Sequence, residues 1–138
     1  MKIFLYTNVL MDPLDEQREM HLASKRLLKA AEDGVIEAIV TGLSLVNLVY
    51  IMQRQGASRS LLMDYVKNML DIATIASTDI SQLKAAVASG WKEFEDAVQY
   101  EAAASVGRVQ AIITSDGKGF KGSRIPVFSP EAFVAEHL

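Results

Sequence analysis

The sequence predicts a three-layer α/β/α sandwich around a central parallel sheet of about four or five strands. Short runs of continuously apolar residues, typical of strands buried on both faces, alternate with longer segments in which apolar residues recur at the spacing of one helical face. Such alternation favours right-handed crossovers, which place helices on both sides of a parallel sheet. Because the chain has 138 residues, half of them hydrophobic, we expect one domain over residues 1–138.

The first half of the chain contains two predicted strands, over residues 3–5 and 36–40, because both runs are apolar and bounded by turn residues. Three segments between residues 20 and 72 have helical periodicity. These helices are expected over 20–31 with Gly34 behind its end, over 45–52 after Thr41 and Ser44, and from the N-cap Ser58 to residue 72.

The second half predicts three more strands and three more helices. The strands are expected over 73–76, over 111–114 with a turn at 115–117, and over 125–128, where Pro126 is tolerated at a sheet edge. The helices are expected from Thr78 or Asp79 to about Gly90, over 95–105 before Gly107, and from Ser129 onward with Pro130 in its first position. The stretch 117–124 is the most irregular one, and it is short enough to be a functional loop.

Composition excludes several function classes. There is no cysteine, so disulfide scaffolds, thiolate zinc sites, iron–sulfur clusters and a cysteine nucleophile are ruled out. The net charge of −3 offers no bulk attraction to nucleic acid or anionic membrane, so an RNA ligand would need a local basic strip. No apolar run approaches the length of a membrane span, and no signal peptide is evident, so we expect a cytoplasmic protein without a membrane partner.

The polar residues at the strand ends indicate where a ligand would bind, because ligands of open parallel sheets collect outside the carboxyl ends of the strands. These residues are Tyr6, Thr7 and Asn8 after the first strand, Thr41 and Ser44 after the second, and Ser115 and Asp116 after the strand 111–114. Asn47 and Asp96 lie near the beginnings of helices that could point to the same edge. Together with Asp116 they supply oxygen donors of the kind that suits Mg²⁺ or Mn²⁺.

Four stretches in register resemble the PIN domain family, whose metal-dependent nuclease-like members include the VapC-type toxins. The stretches are 4–12, 43–48, 94–100 and 113–116, and their order and spacing agree with the family across nearly the whole chain. The resemblance implies a cluster of three or four acids that binds divalent metal. At those positions this chain has Tyr6, Asn47, Asp96 and Asp116.

The chain departs from the family pattern at three positions. Tyr6 stands where the family normally has aspartate, and a phenol with a pKa of about 10 is neutral at neutral pH and provides no anionic ligand. Asn47 replaces the second acid and retains only a neutral side-chain oxygen. Gly119 lies where many relatives have another acid. The Tyr6 ring could fill part of the cavity, or its hydroxyl could contact Asp96.

The resemblance therefore implies an endoribonuclease whose activity is weakened. Asp96 and Asp116 would hold Mg²⁺ or Mn²⁺, weakly or not at all, and Asn47 would act with them as a catalytic residue or weak ligand. The residues expected to contact substrate are Thr7, Asn8, Ser115, Lys118 and Lys121. The resemblance also implies an RNA substrate, a homodimer and a partner antitoxin protein.

Each of these residues also has a purely structural interpretation. Asp96 could simply complement the helix dipole, Asp116 could be an ordinary turn residue, and Lys118 and Lys121 could be solvated surface charges. The alternative function is a noncatalytic PIN-like module that binds RNA or a protein partner. A third possibility, a small-molecule-binding α/β domain, would require an apolar pocket lined by methionine and phenylalanine.

Overall fold

A computed structural model describes residues 1–138, and its central feature is a sheet of five parallel strands in the order β3-β2-β1-β4-β5. The strands are β1 (Lys2–Leu5), β2 (Glu37–Thr41), β3 (Ala73–Ala76), β4 (Ala111–Ile113) and β5 (Val127–Phe128). The prediction of a parallel sheet is confirmed, including the strand over 73–76. The edge strand β5 is shorter than the predicted 125–128.

Seven α-helices surround the sheet. They are α1 (Thr7–Met11), α2 (His21–Glu32), α3 (Gly42–Arg54), α4 (Arg59–Ile72), α5 (Ile80–Ala88), α6 (Phe94–Val106) and α7 (Pro130–His137). As predicted, Ser58 and Ser129 cap α4 and α7 through hydrogen bonds to backbone amides. Three short elements were not predicted: the helix α1, the 3₁₀ turn that follows it at Asp12–Leu14, and a second 3₁₀ turn at Gly117–Phe120. None of the helices combines the length and apolar character needed to cross a membrane.

The two faces of the sheet bury different layers, because successive strand residues point to opposite sides. Ile3 and Leu5 of β1 belong to the main core with residues of α1 to α4 and α7, whereas Phe4 between them packs with Ala103 of α6 and with Phe120. Helix α5 lies against α6. The α/β/α layering is therefore confirmed, and α6 lies on the face opposite the main core.

A buried ion pair fixes the segment between α1 and α2. The carboxylate of Asp12 is almost fully buried and accepts hydrogen bonds from Arg18 Nε at 2.8 Å and from Ser24 Oγ at 2.6 Å. The ring of His21 reaches the carbonyl of Asp12 at 2.8 Å. A buried carboxylate needs such partners, so this network determines how the chain turns from the first strand into α2.

Candidate active site

A cleft of about 640 Å³ lies between the segment that follows β4 and the beginning of α6. Its lining is mostly polar and charged: Gly90, Trp91, Lys92, Glu93, Asp96, Asp116, Lys118, Gly119, Lys121 and Gly122. Because β1 and β4 are parallel neighbours, residues that follow both strands arrive at the same edge of the sheet. The cleft thus lies where the sequence predicted a ligand site.

Asp96 and Asp116 meet at Gly119. A Cβ built on Gly119 would overlap Oδ2 of Asp96 and would lie 3.9 Å from Oδ2 of Asp116. One oxygen of each carboxylate therefore faces the same small volume, and a side chain at position 119 would fill it. Glycine is the residue that leaves this volume open to solvent or a ligand.

The Tyr6 hydroxyl bridges two acids at the start of α6. Its oxygen lies 2.6 Å from Oε2 of Glu95 and 2.6 Å from Oδ1 of Asp96. The ring is half-buried and packs edge-on against Phe120, with 5.2 Å between the centroids. Of the two possibilities that the sequence left open for Tyr6, contact with Asp96 is therefore present, and Glu95 is a second partner that the sequence did not indicate.

The electrostatics keep Tyr6 neutral. Burial raises its pKa most, and the hydrogen bonds to Asp96 and Glu95 raise it further, because an ionised phenolate would face two carboxylates. Burial also raises the pKa of the Asp96 carboxyl. The Tyr6 hydrogen bond opposes that rise, whereas the negative charges of Glu95, Asp116 and Glu93 add to it. The acids at the start of α6 are thus crowded, and a neutral donor lies between two of them.

Asn8 fixes the loop that carries Asp116. The Asn8 amide donates to Thr114 Oγ1 at 3.2 Å, and its carbonyl oxygen accepts from the Ser115 backbone amide at 3.3 Å. The Asp116 backbone amide in turn donates to Thr114 Oγ1 at 3.1 Å. These bonds join the first turn of α1 to the end of β4, so Asn8 holds the backbone from which the Asp116 side chain projects.

A buried polar cluster lies where β2 enters α3. Thr41 caps α3 by accepting from the Ser44 backbone amide at 3.0 Å, and its hydroxyl donates to Gln99 Oε1 at 2.8 Å. Thr7 is buried, and its hydroxyl pairs with Ser44 Oγ at 2.7 Å. The Gln99 amide nitrogen is buried without a partner. These side chains pack the sheet edge together and do not line the cleft.

Aromatic packing holds the basic loop against the cleft. The Trp91 ring lies 5.7 Å from Phe120 and 4.9 Å from Tyr100, measured between centroids. A Cβ on Gly122 would lie only 2.7 Å from Trp91 Nε1, so this glycine is required for the indole to approach the loop backbone. The loop that carries Lys118 and Lys121 is therefore packed against the protein.

The structure gathers only part of the predicted set of site residues. Asp96, Asp116, Lys118 and Lys121 all line the cleft. The other predicted residues do not line it: Asn47, Thr7, Asn8 and Ser115. Asn47 is a half-buried residue of α3 without a side-chain hydrogen bond. The other three make the hydrogen bonds described above, which join α1 to α3 and to the end of β4. Sequence reasoning missed Lys92, Glu93 and Trp91 as lining residues and Glu95 as a partner of Tyr6.

The donor set fits a weakly held divalent ion. No group of three or more histidine, cysteine or acidic residues is arranged to hold a metal. What remains are Oδ2 of Asp96 and the carboxylate of Asp116, and Mg²⁺ is often held by one or two carboxylates together with waters and substrate phosphates. A tight site made only of protein ligands does not fit these residues.

Comparisons with known proteins agree with this fold. The family model described as PIN domain matches residues 2–118. The structure of Mycobacterium tuberculosis VapC20, described as a Sarcin-Ricin loop cleaving toxin, is similar with a TM-score of 0.70 at 15% identity, over 88% of this chain and 95% of that one.

Two further solved structures share the fold. VapBC2 from Rickettsia felis, bound to a DNA fragment from its promoter, has a TM-score of 0.65 at 12% identity, over 94% of this chain and 98% of that one. FitAcB from Neisseria gonorrhoeae has a TM-score of 0.59 at 17% identity, with 99% of each chain covered. No curated protein sequence matches the chain.

Proposed function

This chain belongs to the PIN domain family, and from that membership we propose that it is a divalent-metal-dependent endoribonuclease with weakened activity, the toxin of a toxin–antitoxin pair. The observation that carries the proposal is the shared cleft, where oxygens of Asp96 and Asp116 meet at Gly119 beside three lysines. PIN domains generally use divalent metal, and these two carboxylates are the residues that would hold it.

The cleft residues act either through their charge or by positioning other groups. A divalent ion held by Asp96 and Asp116 would activate a water molecule and stabilise charge on the phosphodiester. Lys92, Lys118 and Lys121 attract the phosphates of the RNA backbone and keep them at the cleft mouth. Asn8 fixes the Asp116 loop. The activity is weakened because Tyr6 contributes no negative charge where the family has an acid.

The proposed partners are RNA, a second copy of the chain and an antitoxin. The homodimer and the antitoxin rest on the likeness to VapC-type toxins, and the antitoxin is further supported by the likeness to VapBC2. An antitoxin segment that covers the cleft would block access to Asp96 and Asp116, and its binding would be detected as inhibition of RNA cleavage.

A noncatalytic module is the second candidate, and one observation favours it. The Tyr6 hydroxyl occupies Asp96 Oδ1, so the chain has fewer free oxygens for a metal than an acid at this position would give. Such a protein would bind RNA through the lysines of the cleft without cutting it.

RNA cleavage with added Mn²⁺ separates the two functions. We expect slow cleavage by the wild type, loss of cleavage in Asp96→Asn, and faster cleavage in Tyr6→Asp. Asp64→Asn, at an exposed acid on α4, is the matched control because it makes the same change of charge away from the cleft. A wild type that binds but never cuts RNA, and that gains cleavage through Tyr6→Asp, would establish the noncatalytic function.

A further inference from the structure

The Tyr6 hydroxyl lies between two carboxylates and next to the oxygens that would hold a cation. We propose that this hydroxyl withholds Glu95 and one oxygen of Asp96 from divalent metal, so that removing it strengthens cation binding. The inference rests on the proposed metal site at Asp96 and Asp116. It explains why that site is weak, and it identifies Glu95 as an acid that becomes available to the metal when the hydroxyl is removed.

The first argument is how the Asp96 oxygens are divided. Oδ1 accepts the Tyr6 hydroxyl at 2.6 Å, whereas Oδ2 points toward Gly119 and Asp116. A cation in the cleft can therefore use Oδ2 at once, but it can use Oδ1 only by breaking a hydrogen bond to a charged acceptor. Such bonds are among the stronger hydrogen bonds in proteins.

The second argument concerns Glu95. Its Oε2 lies 2.6 Å from the same hydroxyl oxygen, although the rest of the side chain is exposed. An exposed glutamate samples many rotamers unless something holds it, and here the phenol holds it away from the cleft lining. The hydroxyl has one proton and lies within hydrogen-bond distance of both Glu95 and Asp96, so its removal frees one oxygen of each acid.

The Tyr6→Phe variant tests the inference, because it keeps the ring that packs against Phe120 and removes only the hydroxyl. Mn²⁺ binding is measured by calorimetry and by the loss of the free-ion paramagnetic resonance signal, at about pH 8, where carboxylates are ionised. We expect Mn²⁺ to bind Tyr6→Phe about tenfold more tightly than the wild type. Unchanged or weaker binding by a folded Tyr6→Phe protein would overturn the inference.

Tyr65→Phe is the matched control. The Tyr65 hydroxyl donates to the Leu10 carbonyl at 2.6 Å and does not line the cleft, so its loss also removes one short phenolic hydrogen bond but no bond to an acid. We expect wild-type Mn²⁺ affinity in Tyr65→Phe. A gain equal to that of Tyr6→Phe would show that general loosening causes the effect, and it would overturn the inference.

The variant Glu95→Gln tests whether Glu95 is the acid that becomes a metal ligand when the hydroxyl is removed. In the wild-type background we expect it to change Mn²⁺ affinity by less than about twofold, because Tyr6 already holds Glu95. In the Tyr6→Phe background it removes most of the gain. If Glu95→Gln weakens Mn²⁺ binding by the wild type as much as it weakens binding by Tyr6→Phe, Glu95 is not withheld and the inference is wrong.

These measurements also separate this inference from the proposed function. Weak Mn²⁺ binding by the wild type with no gain in Tyr6→Phe leaves the metal site intact and refutes the role of the hydroxyl. No binding by the wild type with clear binding by Tyr6→Phe supports the role of the hydroxyl and refutes a metal-dependent wild type. Absence of binding in both proteins refutes both.

Discussion

Gly119→Ala places a methyl group between the two carboxylates of the cleft. The new Cβ would overlap Oδ2 of Asp96, would lie 3.4 Å from its Cγ, and would be 3.9 Å from Oδ2 of Asp116. Asp96 is buried and its Oδ1 is bound to Tyr6, so it can move away only by breaking that hydrogen bond. The methyl therefore displaces a ligand oxygen as well as filling the ligand volume.

The expected losses of stability and of activity follow from the overlap. Forcing extra volume into a packed site destabilises a protein by about 1–3 kcal/mol, and Gly119→Ala belongs in this range because a pinned side chain has to shift. A displacement of about 1 Å in a reacting group can lower a rate about a hundredfold. We expect RNA cleavage to fall by about this factor and Mn²⁺ binding to fall with it.

Gly117→Ala provides the control. Gly117 and Gly119 both lie in the 3₁₀ turn Gly117–Phe120, and a Cβ on Gly117 would meet nothing within 4 Å. The free energy of unfolding of Gly117→Ala is expected to differ from that of the wild type by less than about 0.5 kcal/mol, with no change in Mn²⁺ affinity. Urea unfolding and Mn²⁺ titration of both variants check the prediction. Equal unfolding midpoints and equal Mn²⁺ affinities for Gly119→Ala and Gly117→Ala would refute the reasoning.

Three further predictions test hydrogen bonds that hold the site and the surrounding fold in place. Asn8→Ala releases the loop that carries Asp116 and is expected to weaken Mn²⁺ binding about tenfold in titration; unchanged affinity would show that the loop keeps its position without Asn8. Thr41→Ala removes the cap of α3 and is expected to lower the free energy of urea unfolding by about 1–2 kcal/mol; a change near zero would show that water replaces the cap. Asp12→Ala leaves Arg18 without its buried partner and is expected to lower the free energy of urea unfolding by at least about 2 kcal/mol. An effect as small as that of an exposed ion pair would contradict this prediction.

The fold was predictable because its signals are local and repeated. The strand at Ala73–Ala76 and the helix caps at Ser58 and Ser129 came directly from apolar runs and turn residues. Helix α1 was missed because it has only five residues, too few to reveal a helical period, and because its N-cap residue Tyr6 makes no capping hydrogen bond.

The candidate site was predictable only where it followed from topology. Asp116 follows β4 and Asp96 begins α6, so the strand-end principle brought both to one edge. Glu95 could not be found in this way, because neighbouring helical residues point about 100° apart and only one of them is expected to face the cleft. It is the length of the tyrosine side chain that allows Tyr6 to contact both acids.

The charge of the cleft lining explains how a tyrosine at position 6 could separate binding from cleavage. The lining contains three lysines and three acids, and the neutral Tyr6 leaves these charges balanced. An aspartate at position 6 would add a further negative charge beside Asp96, and crowded carboxylates repel one another and an approaching phosphate until a cation neutralises them.

Tyr6→Asp is therefore expected to have opposite effects on the two activities. Without divalent metal it weakens RNA binding severalfold relative to the wild type, because the added charge repels phosphate. With Mn²⁺ it increases cleavage, because a third carboxylate joins the ligands. RNA binding in the presence of a chelator, beside cleavage in Mn²⁺, measures both. Tyr6→Asn, which also removes the phenol but adds no charge, is the control, and metal-free binding equally weak in Tyr6→Asn and Tyr6→Asp would contradict the electrostatic explanation.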